Sequence, residues 1–311
     1  MAVNTPHKVA ILLCTYNGER YLDEQLNSVL NQTHTNWRIY ASDDGSNDAT
    51  LNILEKFQAK FGIDRMVILS GPKNGPTDNF LSLILSVDGD CEYFAFCDQD
   101  DVWHDEKLCR AVKVLIGLEF EVPSVYCSST RYIASNGRFL QYSYVFKREP
   151  SFKNALVQSI AGGNTMVFNR MAKDILSRTP KLQILVAHDW WLYILITAYD
   201  GYVHYDKTPS VDYRQHSNAL VGENRSINSK IKRILMLLDG RYKRWTDQNI
   251  KALDTISNEL PLHSKQTFDF FKKIKSSSFF VGVFIFIYSG IRRQTFMGNA
   301  ALAIAVLIKR F

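Results

Sequence analysis

The first hundred residues alternate between short unbroken apolar runs and longer stretches whose apolar positions recur every three or four residues. Residues 8–14, Lys-Val-Ala-Ile-Leu-Leu-Cys, are one such run and predict a strand buried on both faces. A turn, Thr15-Tyr16-Asn17-Gly18, follows, and then Leu22, Leu26, Val29 and Leu30 fall at amphipathic helical spacing. The same alternation repeats: strand 37–42, helix near 49–61, strand 66–70, a Gly-Pro-rich loop at 71–76, helix 79–87 and strand 93–97. Strand–helix alternation of this kind implies an α/β fold, a mostly parallel sheet flanked by helices with right-handed crossovers.

The second half is more mixed. Residues 124–128, 165–168, 202–205 and 210–213 read as strands, and 189–198 as a helix. After about residue 221 the strand signals stop, and 226–238, 242–259 and 264–275 carry helical patterning. A domain of residues 1–220 followed by a helical, basic region of 221–311 is the expected organisation. No internal repeat or low-complexity tract interrupts it.

Composition changes this picture little. The formal charge is +6 and unevenly placed, and no nucleic-acid partner is expected. The five cysteines include no CxxC pair, which suits small core residues in a reducing compartment. The N-terminus enters the first strand without an apolar signal region.

The chemistry gathers at strand ends. The apolar run 93–97 stops in Asp98-Gln99-Asp100-Asp101, three carboxylates within four residues. Asp-x-Asp supplies hard oxygen ligands for Mg²⁺ or Mn²⁺, which are commonly held by one or two carboxylates together with substrate phosphates. The strand at 8–14 ends in Thr15-Tyr16-Asn17-Gly18, and the strand at 37–42 in Asp43-Asp44-Gly45-Ser46. In a parallel sheet these three ends open on one edge, where α/β folds bind ligands. The set suits a nucleoside diphosphate: Tyr16 against the base, Asp43 accepting from a base N–H, Asp98 from ribose hydroxyls, and Asp100 on the metal. Neither GxxxxGK[ST] nor GxGxxG is present, so NTPase and dinucleotide readings lose their usual support.

Six stretches carry a family resemblance. They are residues 15–22 (Thr-Tyr-Asn-Gly-Glu-Arg-Tyr-Leu), 43–48 (Asp-Asp-Gly-Ser-Asn-Asp), 98–103 (Asp-Gln-Asp-Asp-Val-Trp), 163–169 (Gly-Asn-Thr-Met-Val-Phe-Asn), 188–191 (His-Asp-Trp-Trp) and 213–216 (Tyr-Arg-Gln-His). Together they resemble family 2 glycosyltransferases of the GT-A fold, most of all a bacterial rhamnosyltransferase-like branch that builds surface polysaccharides. The resemblance implies an inverting, metal-dependent transfer from a nucleotide-sugar donor to a saccharide or polyprenyl-linked saccharide acceptor. It places Thr15, Tyr16, Asn17, Glu19, Asp43, Asp44, Asp98, Gly163 and Asn164 around the donor, Asp100 and His216 at the metal, and Asp189 as catalytic base. The Gln-x-x-Arg-Trp of processive members is absent, and Arg214-Gln215-His216 stands in that region, which favours single addition. A sugar-nucleotide pyrophosphorylase, or a non-catalytic nucleotide-sugar-binding protein, is the alternative. The pyrophosphorylase reading lacks its Gly-rich Arg/Lys loop after the first strand.

From residue 271 onward the charged residues are Lys272, Lys273, Lys275, Arg292, Arg293, Lys309 and Arg310, with no Asp or Glu. The apolar runs 279–287 and 300–308 are each short of the roughly 20 residues a spanning helix needs. Such runs suit a helix pair lying in an anionic membrane surface or packing on the catalytic domain. The first would place the protein peripherally on the cytoplasmic face of the bacterial inner membrane.

Overall fold

A computed structural model describes residues 6–87, 89–179, 185–215 and 240–310. The elements begin β1 (Val9–Thr15), α1 (Leu22–Leu30), β2 (Trp37–Asp43), α2 (Thr50–Phe61), β3 (Met66–Ser70), α3 (Pro76–Ser86) and β4 (Tyr93–Cys97). They continue with β5 (Val102–Trp103), α4 (Lys107–Ile116), β6 (Ser124–Ser128), β7 (Arg131–Ala134), β8 (Phe139–Tyr142) and α5 (Phe152–Ala155). A 3₁₀ turn (Gly163–Thr165) precedes β9 (Val167–Asn169), α6 (Arg170–Ser177), α7 (His188–Ala198), β10 (Tyr202–Asp206) and β11 (Val211–Gln215). Four helices complete the described chain: α8 (Arg241–Thr255), α9 (Leu262–Ser276), α10 (Phe279–Ser289) and α11 (Phe296–Leu307). The helix expected at 226–238, the expected boundary near 220 and His216 lie outside the described residues.

By its internal contacts the chain divides into two units. The first comprises Met1–Ser143, Ala161–Arg178 and Tyr202–Ala219, and the second Tyr144–Ile160, Thr179–Gly201 and Leu220–Phe311. The first unit holds a seven-stranded sheet in the order β10-β6-β9-β4-β1-β2-β3. All neighbouring pairs are parallel except those of β9, which runs antiparallel to both β4 and β6. Every residue of β1 and β4 is buried, which is why both read as unbroken apolar runs rather than alternating ones. Val9, Ile11 and Leu13 of β1, Ile39 and Ala41 of β2, and Ala95 of β4 share one core with Leu22, Leu26 and Val29 of α1 and Leu108, Val112 and Leu115 of α4. Fully burying each of the Val, Ile and Leu side chains among them contributes about 1.5–3 kcal/mol.

The strand order sets the site. β2 leaves β1 on one side and β4 pairs on the other, so the chain reverses direction across the sheet between β1 and β4. Such switch points are where open α/β sheets take ligands, outside the carboxyl ends of the strands. Thr15 is level with Asp43, and Leu13 with Cys97, so the three polar strand ends emerge together.

A second, four-stranded sheet, β5-β11-β7-β8, belongs to the same unit. Of its strands the sequence pattern marked only β11, at residues 210–213. β5 is two residues long, and β8 lies largely exposed at the edge, so neither carries the apolar alternation that reveals a strand.

In the second unit α7 is apolar on all sides and buried from Trp190 to Ala198. The turn between α10 and α11 is tied to the segment around α5. Asn154 Nδ2 donates to the Arg292 carbonyl (3.0 Å), Arg293 Nη1 to the Val157 carbonyl (3.0 Å), and Arg148 N to Gln294 Oε1 (3.2 Å). Among the described residues no helix is long and apolar enough to cross a membrane.

Candidate active site

The loops after β1 and β2 are knitted together by the residues that the sequence singled out. Thr15 Oγ1 donates to Asp43 Oδ1 (2.9 Å). Asp43 also accepts from the Gly45 and Ser46 amides (3.1 and 2.9 Å) and from Ser46 Oγ (2.6 Å). Four donors match the roughly four lone-pair positions of a carboxylate, so Asp43 shapes its own turn. Asn17, at φ 48°, donates from its amide to Ser46 Oγ and accepts from the Asn47 amide, each at 2.8 Å. Glu19 Oε2 accepts from the Ala49 amide (2.9 Å) at the start of α2. Asp44 accepts from the Lys73 and Gly75 amides (2.7 and 2.8 Å), fixing the loop before α3. These side chains thus build the walls. The Tyr16 ring, 54% exposed, is left facing outward.

Gln99 spans the crevice at the switch point. Its side-chain amide pairs with the Tyr16 backbone in both directions, Oε1 accepting from the amide (2.8 Å) and Nε2 donating to the carbonyl (2.9 Å). A Cβ on Gly18 would lie 2.3 Å from that Oε1, so the clasp requires glycine there. On either side of Gln99, Asp98 and Asp100 are half-buried.

Asp101 is fully buried. It accepts from Asn164 Nδ2 (2.5 Å) and from the Arg214 amide (3.1 Å). Burial, and then the charges of Asp100 and Asp98, push its carboxyl well above the usual range. Lys107 is buried too, donating to the Asn164 carbonyl (2.7 Å) with its ammonium 3.2 Å from the Trp103 ring centroid. Burial pulls it down to about 7.

Arg214, 2% exposed, closes the floor. Its guanidinium donates to the Asp100 carbonyl (2.9 Å), the Ser135 carbonyl (3.2 Å) and Glu24 Oε2 (2.5 Å). Burial, and then the field of Asp101, Asp98 and Asp100, raise the Tyr213 phenol.

The structure therefore brings together Thr15, Tyr16, Asn17, Glu19, Asp43, Asp44, Asp98, Asp100 and Asn164 in the first unit. Asn164 serves from behind, through Asp101, and Gly163 lies buried in the same 3₁₀ turn. Four residues that sequence reasoning did not assign complete the arrangement: Gln99, Asp101, Lys107 and Arg214. Lys107 had a signal, since it shares the spacing of Ala111 and Leu115 on the apolar face of α4. Among the described residues no three His, Cys, Asp or Glu side chains gather into a metal cluster. Asp98 and Asp100 remain half-exposed at the end of β4; carboxylates of this kind commonly bind Mg²⁺ together with substrate phosphates.

Asp189 belongs to the second unit, in the first turn of α7, where a carboxylate is favoured by the helix dipole. Its Oδ1 accepts from the Trp190 amide (2.6 Å). Trp190 and Trp191 are both buried. Their indole N–H groups donate to the Ala155 carbonyl (2.7 Å) and Thr179 Oγ1 (2.8 Å), so both are core. Burial lowers the neighbouring His188 to about 4.

Residues 10–176 match the sequence profile of glycosyl transferase family 2. The chain belongs to that family. This glycosyltransferase is 32% identical over 249 residues to the dTDP-rhamnosyl transferase RfbG of Shigella flexneri, covering 78% of this chain and 84% of that one. It is 24% identical over 196 residues to the putative teichuronic acid biosynthesis glycosyltransferase TuaG of Bacillus subtilis, covering 62% of this chain and 74% of that one. Its fold is similar to residues 1–349 of S. aureus TarS, solved in complex with UDP-GlcNAc (TM-score 0.55, 18% identity, 97% of this chain and 90% of that one). The Pyrobaculum calidifontis mannosyltransferase PcManGT, solved with GDP-Man and Mn²⁺, is similar as well (TM-score 0.50, 13% identity, 97% and 86%). Both likenesses bear out the GT-A architecture. Family membership sets the pyrophosphorylase reading aside.

Proposed function

We propose that this glycosyltransferase takes a nucleoside diphosphate sugar at the β1/β4 switch point and transfers the sugar, with inversion, to a hydroxyl of a saccharide or polyprenyl-linked saccharide. The observation that carries the reading is the pair of half-exposed carboxylates, Asp98 and Asp100, held at the carboxyl end of β4 over a rigid floor. Asp100 would hold Mg²⁺ or Mn²⁺, with His216 as a further ligand, and Asp98 would accept from the ribose hydroxyls. The cation supplies charge stabilisation to the departing diphosphate, worth several kcal/mol. The Tyr16 ring offers a face to the base, and the hydrogen-bonded loops of Asp43 and Asp44 set the depth of the crevice. Asp189 takes the proton of the acceptor hydroxyl; one base on one face supports a single displacement and hence inversion.

The similarity to a dTDP-rhamnosyl transferase supports dTDP-rhamnose as donor and bacterial surface polysaccharide, such as lipopolysaccharide, as the product class. A lipid-linked acceptor would bring the enzyme to the cytoplasmic face of the inner membrane. The test is a panel of nucleotide sugars, dTDP-rhamnose among them, incubated with acceptor and Mg²⁺ or Mn²⁺ while free nucleoside diphosphate is measured. Acceptor-dependent release from one donor, abolished by chelation, is expected. Release that ignores both acceptor and chelator would overturn the reading.

A further inference from the structure

α10 and α11 turn their apolar stripes outward. In α10 the exposed side chains are Phe280, Val281, Phe284, Ile287 and Tyr288, spaced as one face of a helix. In α11 and the residue after it they are Phe296, Met297, Ile304, Leu307 and Ile308. A soluble surface helix normally places this stripe inward. Here the inward face includes Gly282, which lies so close to α9 that a Cβ would meet the Ile274 carbonyl at 3.0 Å. That contact commits the opposite, bulky face to solvent. Ten large exposed apolar side chains on two adjacent helices are a patch, and patches of this kind mark interaction surfaces.

The charges around the patch decide its partner. No Asp or Glu follows Asp269 in the sequence. Lys272 and Lys275 are spent on Asp254 and Asp247 (2.7 and 2.8 Å), and Arg293 donates inward to the Val157 carbonyl. Lys273, Arg292, Lys309 and Arg310 remain exposed, and no carboxylate among the described residues pairs with them. An apolar stripe rimmed by cations and free of acids complements an anionic lipid surface, aromatics entering the acyl boundary and cations meeting headgroups. Helices of 11 and 12 residues are about 16–18 Å long, against a hydrocarbon core of about 30 Å. They can lie in one leaflet but not cross.

We infer that the outward faces of α10 and α11 dock this glycosyltransferase onto an anionic membrane surface, half-embedded in the plane of the interface. The inference extends the membrane-side reading above, yet these helices carry none of the candidate site residues, so either can fail alone. The test uses the full-length protein with vesicles of phosphatidylcholine alone or mixed with phosphatidylglycerol, read by co-flotation, with light scattering on the free protein. The protein should bind the phosphatidylglycerol vesicles and release as salt rises. Phe284→Ser with Ile287→Ser, both exposed and so not expected to disturb the fold, should weaken binding at least about tenfold. Arg292→Glu with Lys309→Glu should weaken it by roughly fivefold per charge removed, with unchanged melting. Absence of vesicle binding, or equal binding by the Ser pair, would overturn the inference. A dimer in solution that the Ser pair dissolves, without vesicle binding, would assign the face to a second copy and overturn it equally.

Discussion

Arg214 is a fully engaged cation beneath the Asp98–Asp101 loop, and its position suggests how one residue sets another's chemistry. Its guanidinium holds the Asp100 carbonyl, the Ser135 carbonyl and Glu24, while its amide holds Asp101. Removing it frees the backbone carbonyl of the proposed metal ligand. Arg214→Met should therefore weaken Mn²⁺ binding in the presence of nucleoside diphosphate by roughly 10–100-fold, as loss of outer support for a metal ligand typically does. Arg214→Lys, which keeps charge but loses the fork geometry, should recover part of it. Calorimetry reads this directly; a role confined to folding would lower the melting temperature and leave metal affinity alone. Gln99 and Gly18 form a second such pair. Gly18→Ala must push the Gln99 amide off Tyr16 and should cost about 1–2 kcal/mol, but much less in a Gln99→Ala background. A double-mutant cycle on melting stability measures the difference, and an additive result would contradict the contact.

At the scale of elements, two helices carry testable chemistry. α7 presents Asp189 in its first turn. Asp189→Asn is nearly isosteric and accepts no proton, so transfer should fall by about 10²–10⁴-fold with donor affinity unchanged. A variant with normal turnover and lost donor binding would remove Asp189 from the base role. α4 buries Lys107, whose folded value of about 7 lies below the ordinary lysine value of about 10.4. Between those values the unfolded chain binds more protons than the folded one, so this group's contribution to stability rises with pH. The stability of the native protein relative to Lys107→Met should accordingly increase from about pH 7 upward, measured by urea unfolding; a pH-independent difference would refute it. The elements themselves were legible where the physics is local. β1 to β4 and α7 follow from apolar periodicity. Of the β5-β11-β7-β8 sheet only β11 was legible, at residues 210–213; β5 is two residues long and the outer edge at β8 is wet.

At the scale of the whole molecule, the polar strand ends predicted from residues 15–19, 43–44 and 98–101 do meet on one sheet edge. That much follows from parallel strands alone. What the sequence could not convey is which polar groups face outward and which are consumed by the scaffold. Asp43 and Asp101 look alike in sequence, yet one knots its own turn through Gly45 and Ser46, while the other is buried under the loop on Asn164 and Arg214, partners far along the chain. Arg214 reaches Asp100 across 114 positions, a pairing no local pattern encodes. Asp98 and Asp100 stand half-exposed at the carboxyl end of β4, and the account rests on them. The most direct test is calorimetric binding of the nucleoside diphosphate sugar by native and Asp100→Ala protein, with and without Mn²⁺. Native protein should bind at least about tenfold more tightly with the cation, and Asp100→Ala should lose that increment while keeping its melting temperature. An Asp100→Ala protein that retains the full Mn²⁺-dependent gain would contradict the account.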